Sequence, residues 1–407
     1  MTDRCVVVGS GIVGALTAYR LTECGMRVTL VDAGSPGSGT TATGYGHINA
    51  SYEGYWDYFA LRAAGVAGYR RLRAELGGAQ WLADAGCVQF ESDETKRVAL
   101  ARHAERLQAA GYSVVSLTRE RFAEMEPDVT VPSDASEIFY YTDEAYLDTT
   151  ALMADLLGRS VRWGLELRLN DPVTGFGRGD GRIQSVYLKS GGRIETDVVV
   201  CCCGRWTDSV LALAGSDISL MIPHEPGTAA AGLIVSGSPV VQRLRRLIIA
   251  NGVNIRPGGG GRLMIWSGQV DAEIQEEERA SGTWCERSAE LATAVRQAAQ
   301  EYLPALASAE VETARICRRA IPRDGLPVMG WVPGVAGLYV IAAHAAVTLA
   351  PALAELSVTE VSQTTEAAVL DGFRPDRFRD TRHVEGFSLS GQTASADEQR
   401  EREPRGR

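Results

Sequence analysis

The sequence predicts an α/β fold in which a doubly wound, mainly parallel sheet is interleaved with an antiparallel-sheet α+β domain. Three observations predict it. The chain opens on a complete β-α-β pattern between Arg4 and Asp32. The apolar run Asp197–Gly204 returns much later with the character of another strand of the same sheet. From about Ile218 to Gly268 the apolar period shortens to two, as it does in antiparallel strands.

The opening run Arg4-Cys5-Val6-Val7-Val8 is apolar and rich in β-branched residues, which predicts a buried strand. It leads into Gly9-Ser10-Gly11-Ile12-Val13-Gly14, a G-x-G-x-x-G. An amphipathic helix is expected from Ile12 to about Cys24, stopped by Gly25. A second strand, Val28–Val31, ends at Asp32. This is the dinucleotide fingerprint of a Rossmann-type sheet. Gly9 permits the tight turn, Gly11 lets the backbone approach a pyrophosphate, and Gly14 lets the helix pack against the strand. The helix N-terminus offers N–H groups and partial positive charge to phosphates. Asp32 can accept hydrogen bonds from a ribose and would repel the extra phosphate of NADP. Gly9, Gly11, Ile12, Val13, Gly14 and Asp32 are therefore candidate cofactor contacts. The fingerprint does not choose between FAD and NAD.

Composition narrows the class. The 407 residues suffice for two domains of ordinary size. With 45% hydrophobic and 23% charged residues, a globular core is expected. The net charge of −10 argues against nucleic-acid partners, which need a basic surface. No apolar run is long enough for a membrane span, and the chain enters its first strand with no secretory pattern, so a cytoplasmic location is expected. Cys5 and Cys201-Cys202-Cys203 lie in apolar strand-like runs, and no C-x-x-C zinc spacing occurs. These cysteines read as small buried hydrophobes, and no metal is expected.

The remaining elements follow in order. Ala33 to His47 is rich in Gly, Ser and Thr and is expected as a loop whose Thr40 and Thr41 contact the cofactor. Trp56–Leu76 has helical period, with Arg62, Arg70, Arg71 and Arg73 read as a solvated face. Cys87–Phe90 predicts a strand. Asp93–Ala110 predicts a helix that carries Lys96 and His103 at the surface. The aromatic, acidic stretch Phe139–Asp148 precedes a helix from Thr149 to about Trp163. Strands are expected at Leu165–Leu169, Ile183–Leu188 and Ile194–Cys203, with a turn at Lys189-Ser190-Gly191-Gly192. Further strands are expected at Ala229–Val235, Leu247–Ile255 and Arg262–Trp266, with a hairpin tip at Arg256–Arg262. A helix over Arg287–Tyr302 follows, then strands Val311–Cys317 and Leu338–Ala342, then a helix beginning near Thr348. The tail 386–407 is polar and expected to be disordered. Residues 1–85, 145–215 and 315–385 would form a discontinuous nucleotide-binding domain. Residues 86–144 and 216–314 would form the substrate domain.

This combination resembles the FAD-dependent amino acid and amine oxidase superfamily of glycine oxidase, D-amino acid oxidase and monomeric sarcosine oxidase. The resemblance spans about residues 4 to 380. Its more specific matches are Asp197–Gly204 followed by Arg205-Trp206, and the C-terminal block Arg319–Gly330, Val332–Val340 and His344–Ala352. It implies an FAD-binding domain, with the flavin ring between the two domains. The helix near Thr348 would point its N-terminus at the flavin N1 and O2 edge. It also implies cofactor contacts at Val173, Cys203, Gly204, Trp206, His344, Val347 and Thr348. In the glycine and D-amino acid oxidases the arginine five residues before the Asp-Gly clamps the substrate carboxylate, and here that residue is Arg319. The alternative is a structural arginine paired with an acid. His47 is the second candidate catalytic residue, with Asn254 and Gln269 as further pocket residues. Cys317 occupies the offset that in the sarcosine oxidase branch carries a thioether to the flavin; the other reading is one more buried cysteine. Ala345 and Ala346 replace the usual Ser-Gly, Ala320 replaces the usual Pro, and Met264 or Ile265 stands where that branch has an oxygen-activating lysine.

The expected activity is oxidation of the C–N bond of an amino acid or N-substituted amino acid to an imine, with oxygen or a quinone as electron acceptor. Three alternatives stay open: an FAD-dependent 2-hydroxy acid dehydrogenase, a flavin subunit of a hetero-oligomeric amine dehydrogenase, and an NAD-dependent enzyme.

Overall fold

The computed structural model describes residues 4–52, 56, 58–222, 230–274 and 286–379. The tail 386–407 and Ala229 lie outside them. The apolar opening strand Arg4–Val8 is the centre of a six-stranded sheet ordered Val328–Trp331, Leu338–Ala342, Val198–Cys201, Arg4–Val8, Arg27–Val31, Glu166–Arg168. All neighbours are parallel except Val328–Trp331, which runs antiparallel at the edge. Val198–Cys201 is buried at all four positions, as a parallel strand covered on both faces must be.

The second large sheet has eight strands, ordered Val311–Arg318, Ala231–Gly237, Arg262–Ser267, Val253–Gly259, Leu247–Ala250, Cys87–Phe90, Ile138–Tyr141, Val114–Leu117. Alternation along these strands gives it two unlike faces. Leu233, Val235, Leu263, Ile265, Val253 and Ile255 point into one apolar core, closed by Leu291 and Val295 of helix Glu286–Gln300. The opposite face carries Cys317, Gly232, Ile234, Met264, Trp266, Asn254 and Arg256, as the paired register requires. That polar face looks toward the six-stranded sheet.

One helix places the start of the C-terminal helix. Phe59–Glu75 packs along Ala346–Ser357 so closely that a Cβ on Gly65 would lie 2.1 Å from the Thr348 carbonyl oxygen. The Tyr69 hydroxyl donates to the Val347 carbonyl at 2.5 Å.

Several expectations change. Arg62 is not on a solvated face. It is 1% exposed, because it shares the buried stripe of Gly65, Val66 and Tyr69, and its Nη2 donates to Asn49 Oδ1. Arg70, Arg71 and Arg73 pair with Asp84 and Glu355 nearer the surface. His103 is also buried, with Nε2 on the Ser51 carbonyl oxygen. The single strand expected over Leu247–Ile255 is a hairpin, turned at Asn251-Gly252 with φ of 47° and 79°. Asn-Gly is the favoured pair where both turn residues need positive φ. The loop after Asp32 contains one helical turn, Thr40–Thr43. Strands Val173–Gly179 and Val328–Trp331 were not foreseen.

Beyond the C-terminal helix, Glu360 is buried and accepts two hydrogen bonds from Arg374, both 2.7 Å, with others from Tyr339 and the Ala367 N–H. Burial pushes its carboxyl up, but these donors together pull it below the ordinary range. Arg374→Ala should cost about 3–5 kcal/mol at neutral pH, since it strands a buried charge. Chemical denaturation checks this. A carboxyl with a depressed folded-state pKa stabilises above its unfolded pKa. That contribution, and with it the Arg374→Ala penalty, should fade as pH falls through the folded value.

Candidate active site

The N-terminal fingerprint is built as its spacing demands. Gly9 has φ of 99°, and a Cβ there would lie 2.5 Å from the Cys202 carbonyl oxygen. A Cβ on Gly14 would lie 1.8 Å from the Gly9 oxygen, so only glycine lets the helix sit this near the strand. Gly11 is the N-cap of helix Ile12–Glu23, and the Ile12 N–H donates to Thr41 Oγ1 at 3.0 Å. Thr40 turns the other way, its hydroxyl donating to the Arg318 carbonyl at 2.6 Å. Asp32 is fixed at the end of its strand, accepting from Ser10 N–H, Ser10 Oγ and Gly34 N–H. The Asp171 N–H bonds the Asp32 carbonyl, which brings the start of strand Val173–Gly179 to the same end of the sheet. Cys203 donates its thiol to the Val8 carbonyl, and Gly204 turns at φ of 54°. Trp206 leaves that turn 49% exposed, its ring against Gly39. Gly9, Gly11, Ile12, Asp32, Thr41, Cys203 and Gly204 thus gather at the carboxyl end of three neighbouring strands.

Arg319 follows strand Val311–Arg318 on the polar face. Its Nη2 donates to Asp271 Oδ2 at 2.8 Å, its Nη1 to the Ala231 carbonyl at 3.2 Å, and its guanidinium lies 5.4 Å from the centre of the Trp266 ring. Asp271 also accepts from the Trp266 Nε1–H and the Leu233 N–H. The two charged side chains are 15% and 10% exposed. Gly232 makes room for the pair: a Cβ there would lie 2.2 Å from Arg319 Nη2. Cys317 is buried on the same face, opposite Gly232, and burial pushes its thiol up. Asn254 lies beside Trp266 in the register. Gln269 is exposed and bonds the Asn251 carbonyl at the hairpin turn.

His47 and the C-terminal helix meet on the other side. Thr348 Oγ1 accepts from the Asn49 N–H at 3.3 Å and donates to the His47 carbonyl at 3.5 Å. His47 Nε2 is hydrogen-bonded to Glu144 Oε2 at 2.8 Å, and Glu144 is wholly buried. Cys87 Sγ completes a cluster whose ligand-type atoms lie within 4.8 Å of one another. Burial and Glu144 raise the Cys87 thiol. His344 keeps a partly exposed edge, yet burial, with the charges of Arg319 and Arg62, pushes it down to about 3. Ala345 caps the helix at φ of 53° and ψ of 28°, so an alanine takes the left-handed conformation without glycine's freedom.

A model of one protein family, described as FAD dependent oxidoreductase, matches residues 4–359. The chain belongs to this family. It is 26% identical to a glycine oxidase of Geobacillus kaustophilus, across 94% of this chain and 98% of that one. It is also 26% identical to a glycine oxidase of Pseudomonas aeruginosa, across 88% and 94%. The solved structure of L-proline dehydrogenase from P. horikoshii superposes with a TM-score of 0.80 at 20% identity, covering 93% of this chain and 98% of that one. Glycine oxidase from Geobacillus kaustophilus superposes at 0.77 and 22%, covering 94% and 100%. These superpositions place the chain in the glycine oxidase-type fold.

The residues present fit FAD. Gly9 and Gly14 leave no room for side chains on the strand side. A Cβ on Gly11 would meet only Thr41 Oγ1, at 3.3 Å, which leaves the backbone approachable. A carboxylate has about four acceptor sites, so Asp32 keeps capacity beyond its three donors. Sequence reasoning missed Asp271, Trp266, Gly232, Arg62, Asn49 and Glu144.

Two outcomes test this geometry. Gly232→Ala should displace Arg319 and destabilise the protein by about 1–3 kcal/mol, measured by denaturant unfolding. The His344 ring should show no NMR titration between about pH 5 and 8, against about 6.5 for an ordinary histidine. With the folded-state value depressed, the unfolded chain binds more protons between the two values. Stability should therefore fall as pH drops from about 6.5 toward 3, and His344→Gln should flatten that slope.

Proposed function

We propose that this flavoenzyme oxidises the C–N bond of an amino acid or N-substituted amino acid to an imine. The observation that supports the reading is the place of Arg319 on the polar face of the eight-stranded sheet; its pairing with Asp271 is also what a structural arginine would show, and the Arg319→Met kinetics below separate the two. A guanidinium is shaped to hold a carboxylate through paired hydrogen bonds. When bound, FAD would supply the two-electron acceptor for the hydride on the carbon beside nitrogen, and water would hydrolyse the resulting imine.

The chain's own part is orientation and electrostatics. Arg319 fixes the substrate carboxylate and so sets which carbon faces the cofactor. His344 stays neutral in the working pH range and adds no charge to the cleft. The N-terminus of helix Ala346–Ser357 supplies partial positive charge, and Thr348 fixes it to the strand that bears His47. His47 lines the same side, its ring oriented by Glu144. On this reading Thr41 closes the phosphate cradle and Trp206 shields the turn after Gly204.

The purified protein should be yellow, and anaerobic addition of an amino acid or N-methyl amino acid should bleach it, whereas 2-hydroxy acids should not. Arg319→Met should lower kcat/KM by about a hundredfold or more, chiefly through KM, since loss of one member of a buried charge pair costs about 2–5 kcal/mol. Acid precipitation should release the flavin, because burial keeps the Cys317 thiol protonated and a thiolate is the reactive form. Yellow retained in the pellet, and lost in Cys317→Ser, would establish the thioether instead.

A further inference from the structure

The ion pair on the polar face does more than position a cation. Arg319 and Asp271 are in contact at 2.8 Å and are 15% and 10% exposed. Arg319 lies over the narrow space that Gly232 leaves. Asp271 is held on three sides: by the Leu233 N–H, by the Trp266 Nε1–H and by Arg319. The Trp266 N–H is shared between both carboxylate oxygens, so these donors hold the Asp271 charge in place with four hydrogen bonds. The nearby His344 is neutral. Arg62, the other cation whose field reaches His344, is tied to Asn49. The local recognition element is therefore a positive and a negative group side by side, not a lone arginine.

We propose that Asp271 determines specificity by making this site select zwitterions over simple anions. The proposal rests on the amino acid reading above. A substrate carboxylate bound to Arg319 lies a few ångströms from the Asp271 charge and is repelled by it. An ammonium on the adjacent carbon relieves that repulsion through its own positive charge. A 2-hydroxy acid carries the same carboxylate without the compensating positive charge. The pair thus favours amino acids by subtraction, penalising the competitor as well as welcoming the substrate.

The test compares glycine with glycolate, an achiral pair differing in amine against hydroxyl. Their dissociation constants are read from perturbation of the flavin spectrum in the holoenzyme. The wild type should bind glycine at least tenfold more tightly. Asp271→Asn should tighten glycolate five- to tenfold and weaken glycine about tenfold, while Asp271→Glu keeps the wild-type order. The proposal is overturned if the wild type binds both equally or neither, or if Asp271→Asn moves both constants in the same direction. If Asp271→Asn fails to fold, Asp271→Ser, which also removes the charge, is measured in its place and should move the two constants in the same opposed directions. A wild type that prefers glycine, but whose flavin no amino acid or N-methyl amino acid reduces, would overturn the proposed reaction and leave the selectivity standing.

Discussion

The structure depends on the seam between its two large sheets, and the seam is a loop. Residues 33–47 leave the carboxyl end of strand Arg27–Val31 and reach the polar face of the eight-stranded sheet. Thr41 accepts from the first N–H of the opening helix, while Thr40, one residue earlier, donates to Arg318 in the other sheet. Arg315 donates to the Ala42 carbonyl, and Arg256 to that of Tyr45, from the sheet side. The loop ends at His47, which is fixed to Glu144 and, through its carbonyl, to Thr348. One short segment therefore ties together the head of the opening helix, the edge of the eight-stranded sheet and the start of the C-terminal helix. Small hydroxyl residues suit such a segment, because Thr40 and Thr41 bond backbone of the eight-stranded sheet and of the opening helix from adjacent positions.

The eight-stranded sheet answers a second constraint. Its apolar face is used up in packing against helix Glu286–Gln300, so the other face is free to carry polar chemistry. Strand alternation then delivers Cys317, Trp266, Asn254 and Arg256 to one surface without any loop having to place them. Arg319 continues the same alternation one step past the last strand residue. A site built on strands is held more tightly than one built on loops. Gly232 shows the corresponding cost: the strand beneath the guanidinium must forgo a side chain.

Much of this was legible in the sequence where a local rule governs. The β-α-β unit reads directly, because strand, glycines, helix and acid are contiguous. Strand Val198–Cys201 reads from its unbroken apolar run, even though its parallel partner Arg4–Val8 lies far away. The Asn251-Gly252 hairpin was legible too, since the turn signal stands in the sequence; a continuous apolar run concealed it. Arg62 was concealed by its neighbours. Four arginines on one helix suggest one solvated face, but Arg62 falls at the spacing of Gly65, Val66 and Tyr69, which face inward. Asp271 was not legible at all. It lies 48 residues from Arg319, on a short turn with no periodicity to orient it. Only the fold brings the two together.

The left-handed alanine at the head of the C-terminal helix follows from the same arrangement. Helix Phe59–Glu75 fixes Thr348 and Pro351 by direct contact at Gly65 and Gly68, and His47 and Asn49 hold the Thr348 hydroxyl from the other side. Strand Leu338–Ala342 is fixed in the six-stranded sheet. Ala343, His344 and Ala345 must join two elements whose positions are already set, and the turn needs one residue at positive φ. Glycine would adopt it freely, and alanine does so at a cost of about 1–2 kcal/mol. That cost is tolerated because the flanking contacts overdetermine the turn. The consequence is a stiffer loop, with the His344 ring directed by packing into the same neighbourhood as Arg319 and Arg62. Backbone strain, a neutral histidine and an ion-paired arginine thus share one cause: side chains brought together by elements whose positions are set elsewhere in the fold.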